Sequence, residues 1–358
     1  MGARLQGRRA ILFAENPGAD HNERVFVHRG RFTANHRGGI AITDVDTAVL
    51  DQCVATHNDG TAPRFGLDIE PDFDASTCRN ILVVGGDYSF NGGSVSGEGA
   101  GIYIVHRAGG AATQRGVRII GARMRGNALH GLICGLNPTV ARDVEVIGCE
   151  ISENAALGGG GVEFRGGENF RMIGCHLRDN AAFGVSVGVP GLTATNTTIL
   201  DTFVRGDDTA GAVWSFGGTV DGVLVDGLVT ENNGWGLNFG AATVTNLRLG
   251  ARNLLKDNSV ADLANIPASA LFEPADLKGS KTFDWPSINA GSQSTTTVTV
   301  TGAALGDVAE ASMSVDLQGM QLTAYVSALN TVTCVMRNGT AGAINLASGT
   351  LRVRVRKA

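Results

Sequence analysis

The stretch "VEVIGCEISENAALGGGGVEFRGG" (144–167) is closely followed by "FRMIGCHLRDNAAFGVSVG" (170–188). Both run apolar–x–apolar–Ile–Gly–Cys, place an Asn five residues past the Cys, and open a second alternating run on a Gly. The same frame recurs along the chain. A small or polar residue is followed five positions later by Asn or Asp at Gly30/Asn35, Cys53/Asn58, Gly86/Asn91, Ala122/Asn127, Cys149/Asn154, Cys175/Asn180, Thr202/Asp207, Gly227/Asn232 and Asn253/Asn258. Most steps between successive Asn positions are 23 to 27 residues, with two longer ones of 33 and 36. A period in this range signals a stack of repeated units, each too small to bury its own apolar face.

Each unit is written in strand grammar. "VRIIGARM", "VEVIGCEI", "FRMIGCHL" and "VLVDGLVT" alternate at period two, as half-buried strands do. A second short strand follows the Asn: "GIAI" at 39, "GLDIEP" at 66, "GIYIVH" at 101, "GLICGL" at 131, "GVEFRG" at 161, "GVSVGV" at 184, "AVWSFG" at 212 and "GLNFGA" at 236. Its first and third residues after the Gly are nearly always apolar, giving one inward column. The expected fold is all-β: a right-handed parallel β-helix of about nine coils, each strand pairing with its equivalent one coil away, about 4.8 Å on. The ladder residues Asn35, Asn58, Asn91, Asn127, Asn154, Asn180, Asp207, Asn232 and Asn258 then stack at one corner. Asn suits that place because it tolerates turn dihedrals and bonds backbone locally. Cys53, Cys149 and Cys175 share the column of Gly86 and Ala122. They read as small packing residues rather than as a metal or redox set, and no disulfide is expected.

The 358 residues include 51 Gly but only 14 Phe, 3 Tyr and 3 Trp, which suits many tight coils around a thin core. The net charge of −5 gives no reason to expect nucleic acid. No apolar run reaches the length of a membrane span, and no membrane insertion is expected. The frame begins by about residue 25 and fades after Asn258. Residues 1–24 are read as an attachment or cap segment, 25–265 as the β-helix, and 266–290, with three prolines, as a linker. Val260–Asn265 is read as a short helix. From 291 to 358 the strands lengthen and are parted by turns, which fits a small β-sandwich-like module, one whose core neighbours would have to complete.

The solenoid resembles the pectate-lyase-like superfamily, which includes bacteriophage tailspikes. "STTTVTVTGAALGD" (294–307), "AYVSALNTVTCVMRNGTAG" (324–342) and "LASGTLRVRV" (346–355) resemble a β-module found at the ends of phage fibre proteins. The resemblance implies a virion spike or fibre of a phage or phage-derived particle, assembled in the host cytoplasm. It also implies a homotrimer whose C-terminal module contributes most to assembly. Its partners would be host surface polysaccharide and, through the N-terminal segment, other virion proteins. A polysaccharide-cleaving hydrolase or lyase and a purely structural decoration stay open beside it. No cofactor and no metal is expected.

The outward columns carry the candidate chemistry. Two residues past each repeat Gly lie Ala41, Asp68, Tyr103, Ile133, Glu163, Ser186, Trp214 and Asn238; Glu70, Arg165 and Phe216 lie four past. Asp68 and Glu70 are two apart on one strand, about 6.6 Å, and paired carboxyls roughly 5–9.5 Å apart serve glycoside hydrolysis. They are the candidate catalytic pair, with a structural role as the alternative. Tyr103, Glu163, Arg165 and Trp214 are the candidate glycan contacts. His106 and Arg107 are nearest for lyase chemistry, and Asp72 and Asp74 would extend an oxygen-rich set toward calcium. Arg125, Arg178 and Arg205 are candidates for anionic glycans. The alternating charges Asp87, Arg123, Glu150 and Arg118, Glu145, Arg171 read first as a solvated wall.

Overall fold

The computed structural model describes residues 4–5, 9–13, 22–73, 76–93, 99–105, 113–135, 141–154, 159–206, 211–240, 242–272 and 277–356. His106, Arg107, Asp74 and Asp207 lie outside them. The chain divides into two units, Met1–Leu271 and Phe272–Ala358.

The first unit is a parallel β-helix. One sheet stacks ten parallel strands, from Arg9–Phe13 to Ala261–Ala264. A second holds eleven, from Asn22–His28 to Leu271–Phe272. A third side is built from a three-stranded and a six-stranded piece, joined by single bridges at Asp87 to Val54 and to Arg123. The repeat frame yielded eight strands of the ten-stranded sheet; the outer two were not read from it. Arg9–Phe13 pairs with Gly38–Ile42, and Arg4–Leu5 with Arg31–Thr33. The coils therefore start within the segment read as an attachment or cap. Ala261–Ala264, read as helical, is a strand on Trp235–Asn238, because its neighbour offers a sheet edge that outweighs local preference.

The quoted Ile–Gly–Cys triplets mark a corner. The residue before the ladder's small position is left-handed in coil after coil: Arg29, Gln52, Gly85, Gly121, Gly148, Gly174 and Asp201. Glycine adopts that conformation without penalty. One position later each chain turns inward, and Cys53, Cys149 and Cys175 are fully buried; all six cysteines are free thiols. Ile40, Leu67, Ile102, Leu132, Val162, Val185 and Leu237 form the inward column of the ten-stranded sheet and have no solvent exposure.

The Asn ladder occupies the next corner. Each Asn donates both its backbone N–H and its side-chain Nδ2 to the Oδ1 of the next: Asn35 to Asn58 (3.0 and 2.9 Å), Asn127 to Asn154 (3.0 and 2.9 Å), Asn154 to Asn180 (3.2 and 3.0 Å). Asn58 and Asn91 continue it in the same way. Asn232 does not belong to it. Phe203 pairs with Val229, so the small position is Leu228 rather than Gly227, and Asn233 donates to Asn258. Asn232 is exposed and left-handed, as are Glu153 and Asp179 just before their own ladder Asn residues.

The second unit holds two three-stranded antiparallel sheets. One is ordered Leu277–Phe283, Gly349–Arg356, Val308–Met313; the other Gln293–Thr299, Thr331–Arg337, Gln321–Ala328. Trp285, Val298, Val332, Cys334, Met336, Leu351, Val353 and Val355 are buried in its own core. The stretch read as a linker contributes the strand Leu277–Phe283, paired along its length with Gly349–Arg356. Pro274 and Pro286 flank that strand, and their turn chemistry hid the short alternation between them.

Candidate functional site

Strand register in the ten-stranded sheet fixes one outer column. Ala41 stands beside Asp68, Asp68 beside Tyr103, then Ile133, Glu163, Ser186, Trp214 and Asn238 in order. Neighbours along it are about 4.8 Å apart at the backbone. The inside–outside alternation is the expected one, but this outer face is not solvated. Asp68 is 4% exposed and Glu163 5%; Ile133 and Ser186 are fully buried. Tyr103, Arg165, Glu70 and Trp214 are half-buried at its rim.

Glu163 is the best-defined member. Arg165, two residues on along the same face, donates its Nε to Glu163 Oε2 at 2.7 Å. His130, one coil earlier in the chain, lies with its Nε2 at 3.2 Å from the same oxygen. The Gly160 N–H donates to His130 Nδ1 at 3.0 Å. That leaves the ring proton on Nε2, pointed at the carboxylate. Burial raises the Glu163 pKa, but His130 and Arg165 outweigh burial and hold its carboxyl below the ordinary value. Glu163 is thus a buried, ionised carboxylate.

Tyr103 has the opposite character. Burial, aided by the charges of Asp68, Glu163 and Glu70 and opposed by Arg165, pushes its phenol up to about 12. It stays protonated at neutral pH. Asp68 sits one rung from Tyr103 and Glu163 two rungs on the other side. Their backbones are about 14 Å apart over three rungs, beyond the separation of a glycosidase pair. Glu70 stands just past the end of the strand Phe65–Ile69, two residues on from Asp68.

Aromatic rings lead away from the carboxylate. The His130 ring lies 5.9 Å from that of Phe183, Phe183 lies 5.3 Å edge-on to Phe216, and Phe216 6.2 Å from Trp214. Phe183 is buried and Phe216 exposed. Ser186 Oγ and Trp214 Nε1 are buried without a hydrogen-bond partner among the described residues. The accessible rim sets the aromatic faces of Trp214 and Phe216 near the polar heads of Tyr103 and Arg165, with buried Glu163 holding Arg165 in place; aromatic faces beside polar groups are the chemistry that holds a sugar ring. His130 was not legible in the sequence. A lone His before a repeat Gly carries no signal until the coil behind it brings up Glu163.

Most of the remaining charged candidates are answered by neighbours, although Asp87 Oδ1 is buried with no hydrogen-bond partner among the described residues. Arg125 and Arg178 meet Glu153, and Arg205 faces Glu231 at 3.8 Å. Arg118 and Arg171 clasp Glu145 at 2.7 and 2.9 Å. Exposed cross-strand pairs of this kind contribute little to stability, because solvent screens them.

The fold and face define a class: a parallel β-helix with a polar and aromatic strip on one sheet. Among solved structures it is similar to tailspike variants of E. coli bacteriophage HK620. One, in complex with a hexasaccharide, matches with a TM-score of 0.52 at 12% identity over 93% of this chain and 64% of that one. Another, in complex with a pentasaccharide, matches with a TM-score of 0.50 at 11% identity over 99% of this chain and 69% of that one. At such identities the likeness is one of fold. No family model and no curated protein matches the sequence.

Proposed function

We propose that the protein is a spike of a phage or phage-derived particle that holds host surface glycans on the strip from Asp68 to Trp214. The observation that carries this reading is the Glu163–His130–Arg165 cluster, set between the Tyr103 phenol and the Phe183–Phe216–Trp214 rings on one sheet face. The tailspike fold supports it, as do the saccharide complexes of the similar structures. Binding of the intact chain to capsular and lipopolysaccharide fractions of candidate hosts, followed by calorimetry, tests it. E163Q and W214A are expected to weaken binding at least tenfold, and R118Q to leave it unchanged. Binding that E163Q and W214A leave intact would remove this strip from consideration.

Cleavage is the second reading, favoured by the place of Asp68 one rung from the Tyr103 phenol, with Glu70 two residues further along the chain. One carboxyl would protonate the leaving oxygen while the other acts as base or nucleophile. Release of reducing ends or unsaturated products, lost in D68N/E70Q, is the result that supports it. A homotrimer docked to the virion through its N-terminal segment completes the proposal. Light scattering of the intact chain is expected to give three copies, and a monomer at micromolar concentration would rule out the trimer.

A further inference from the structure

The outer face of the eleven-stranded sheet carries a band outside the strip above. The inward residues Val83, Ile119, Val146, Met172 and Ile199 of this sheet are buried. Alternation turns the next residue of each strand to the outer side, and there the chain again places apolar groups. Register stacks Val84, Ile120, Ile147, Ile173 and Leu200 on five successive rungs, each half-buried. One column over, Leu82 stands beside Val49, and Val49 beside Phe26, which is 66% exposed. Leu82 and Val84 share a strand, so the two runs form one band across seven rungs. Beyond the five-rung column the corner is open: a Cβ on Gly121, Gly148 or Gly174 would meet nothing within 4 Å.

A continuous apolar band with a polar rim marks an interaction surface. We infer that the solenoids of neighbouring copies of this chain, aligned in the same direction about their symmetry axis, meet along this band. The inference rests on the homotrimer proposed above and names the face through which its solenoids touch. Length argues for a second copy. Seven rungs span about 29 Å, and a partner that matches them one by one must itself rise about 4.8 Å per strand. Area agrees. Strands of about seven residues are about 23 Å long, which gives about 700 Å² of sheet per copy, close to the roughly 800 Å² per partner of a stable interface. Charge agrees as well. Parallel copies bring like residues to one level, where free like charges repel. The rim charges are instead paired within the chain: Glu145 with Arg118 and Arg171 at 2.7 and 2.9 Å, Asp51 with His28 at 2.6 Å, and Asp226 with Arg252 at 2.6 Å. A glycan fits less well, because the five-rung column offers it neither an aromatic face nor a hydrogen bond.

The test is sedimentation and light scattering of the intact chain. Wild type is expected as three copies. I147E/I173E sets like carboxylates against each other on two rungs and should weaken assembly by about a hundredfold or more, with the β-sheet circular dichroism retained. Three copies that persist in I147E/I173E overturn the inference and leave the homotrimer standing, whereas a monomeric wild type overturns both. Loss of host-glycan binding in I147E/I173E with assembly intact makes the band a glycan surface and overturns it too. I147C carries the test should the charged variant fail to fold. The six native thiols are buried, so mild oxidation should join I147C copies into covalent dimers and leave H176C, on the six-stranded side of the solenoid, unjoined. I147C that stays a single chain on a denaturing gel, or that cross-links no more than H176C, overturns the inference.

Discussion

Glu163 shows how one residue's setting reverses its chemistry. Burial alone would neutralise a carboxyl, yet a backbone-fixed imidazole proton and a guanidinium on the same oxygen keep it charged. E163Q is expected to lose about 1–3 kcal/mol, the usual range for a buried bond to a charged group. The pH dependence has a definite sign. The folded pKa lies below the ordinary 4.5, so the stabilisation is full above that value and is lost as pH falls through the folded one. Urea midpoints of wild type and E163Q should therefore converge on acidification. A gap that stays constant would show that Glu163 is not held ionised. The ladder offers a second contrast. Asn154 accepts two bonds from Asn127 and donates to Met124 O and to Asn180. N154A should cost roughly 2–4 kcal/mol through the donors it orphans, whereas exposed N232A should cost no more than about 1 kcal/mol, from the left-handed conformation that Asn tolerates better than Ala. Chemical denaturation of both variants checks the pair.

At the scale of the element, the corner between sheets sets the repeat. Gly148 is left-handed, at φ 58°, and a Cβ there would meet nothing within 4 Å. G148A thus isolates the conformational penalty, expected at about 1 kcal/mol, read as a lowered thermal midpoint with an unchanged denaturant slope. Gln52 and Asp201 hold the same conformation without glycine, which is why a search for Gly alone misses coils. The Asp201 coil also shows where register overrides motif. Val229, not Leu228, pairs with Phe203, so the ladder passes to Asn233.

At the scale of the molecule, two cores define two units, each with its own buried aromatics. Phe164 and Phe170 stack at 4.4 Å inside the solenoid, and Trp285 is buried in the C-terminal unit. Calorimetry is expected to resolve two transitions. F164A should lower one and W285A the other, each by about 3–5 kcal/mol. Both variants shifting a single shared transition would show instead that the units unfold as one.

Sequence by itself determined the repeat, the inward column, most of the ladder and the outer column that carries the candidate site. All of these follow from periodicity: a parallel stack copies each strand's alternation onto the next, so local order becomes lateral order. Tertiary structure alone decided what depends on the neighbouring coil or on a distant strand. It buried Asp68 and Glu163 on a face that alternation marked as outward, and it set His130 against Glu163 from one coil away. It also drew Leu277–Phe283 into a sheet with Gly349–Arg356, more than sixty residues along the chain. Period fixes which side of a strand a residue occupies, but what lies on that side, solvent or another side chain, is settled only when segments remote in sequence pack together.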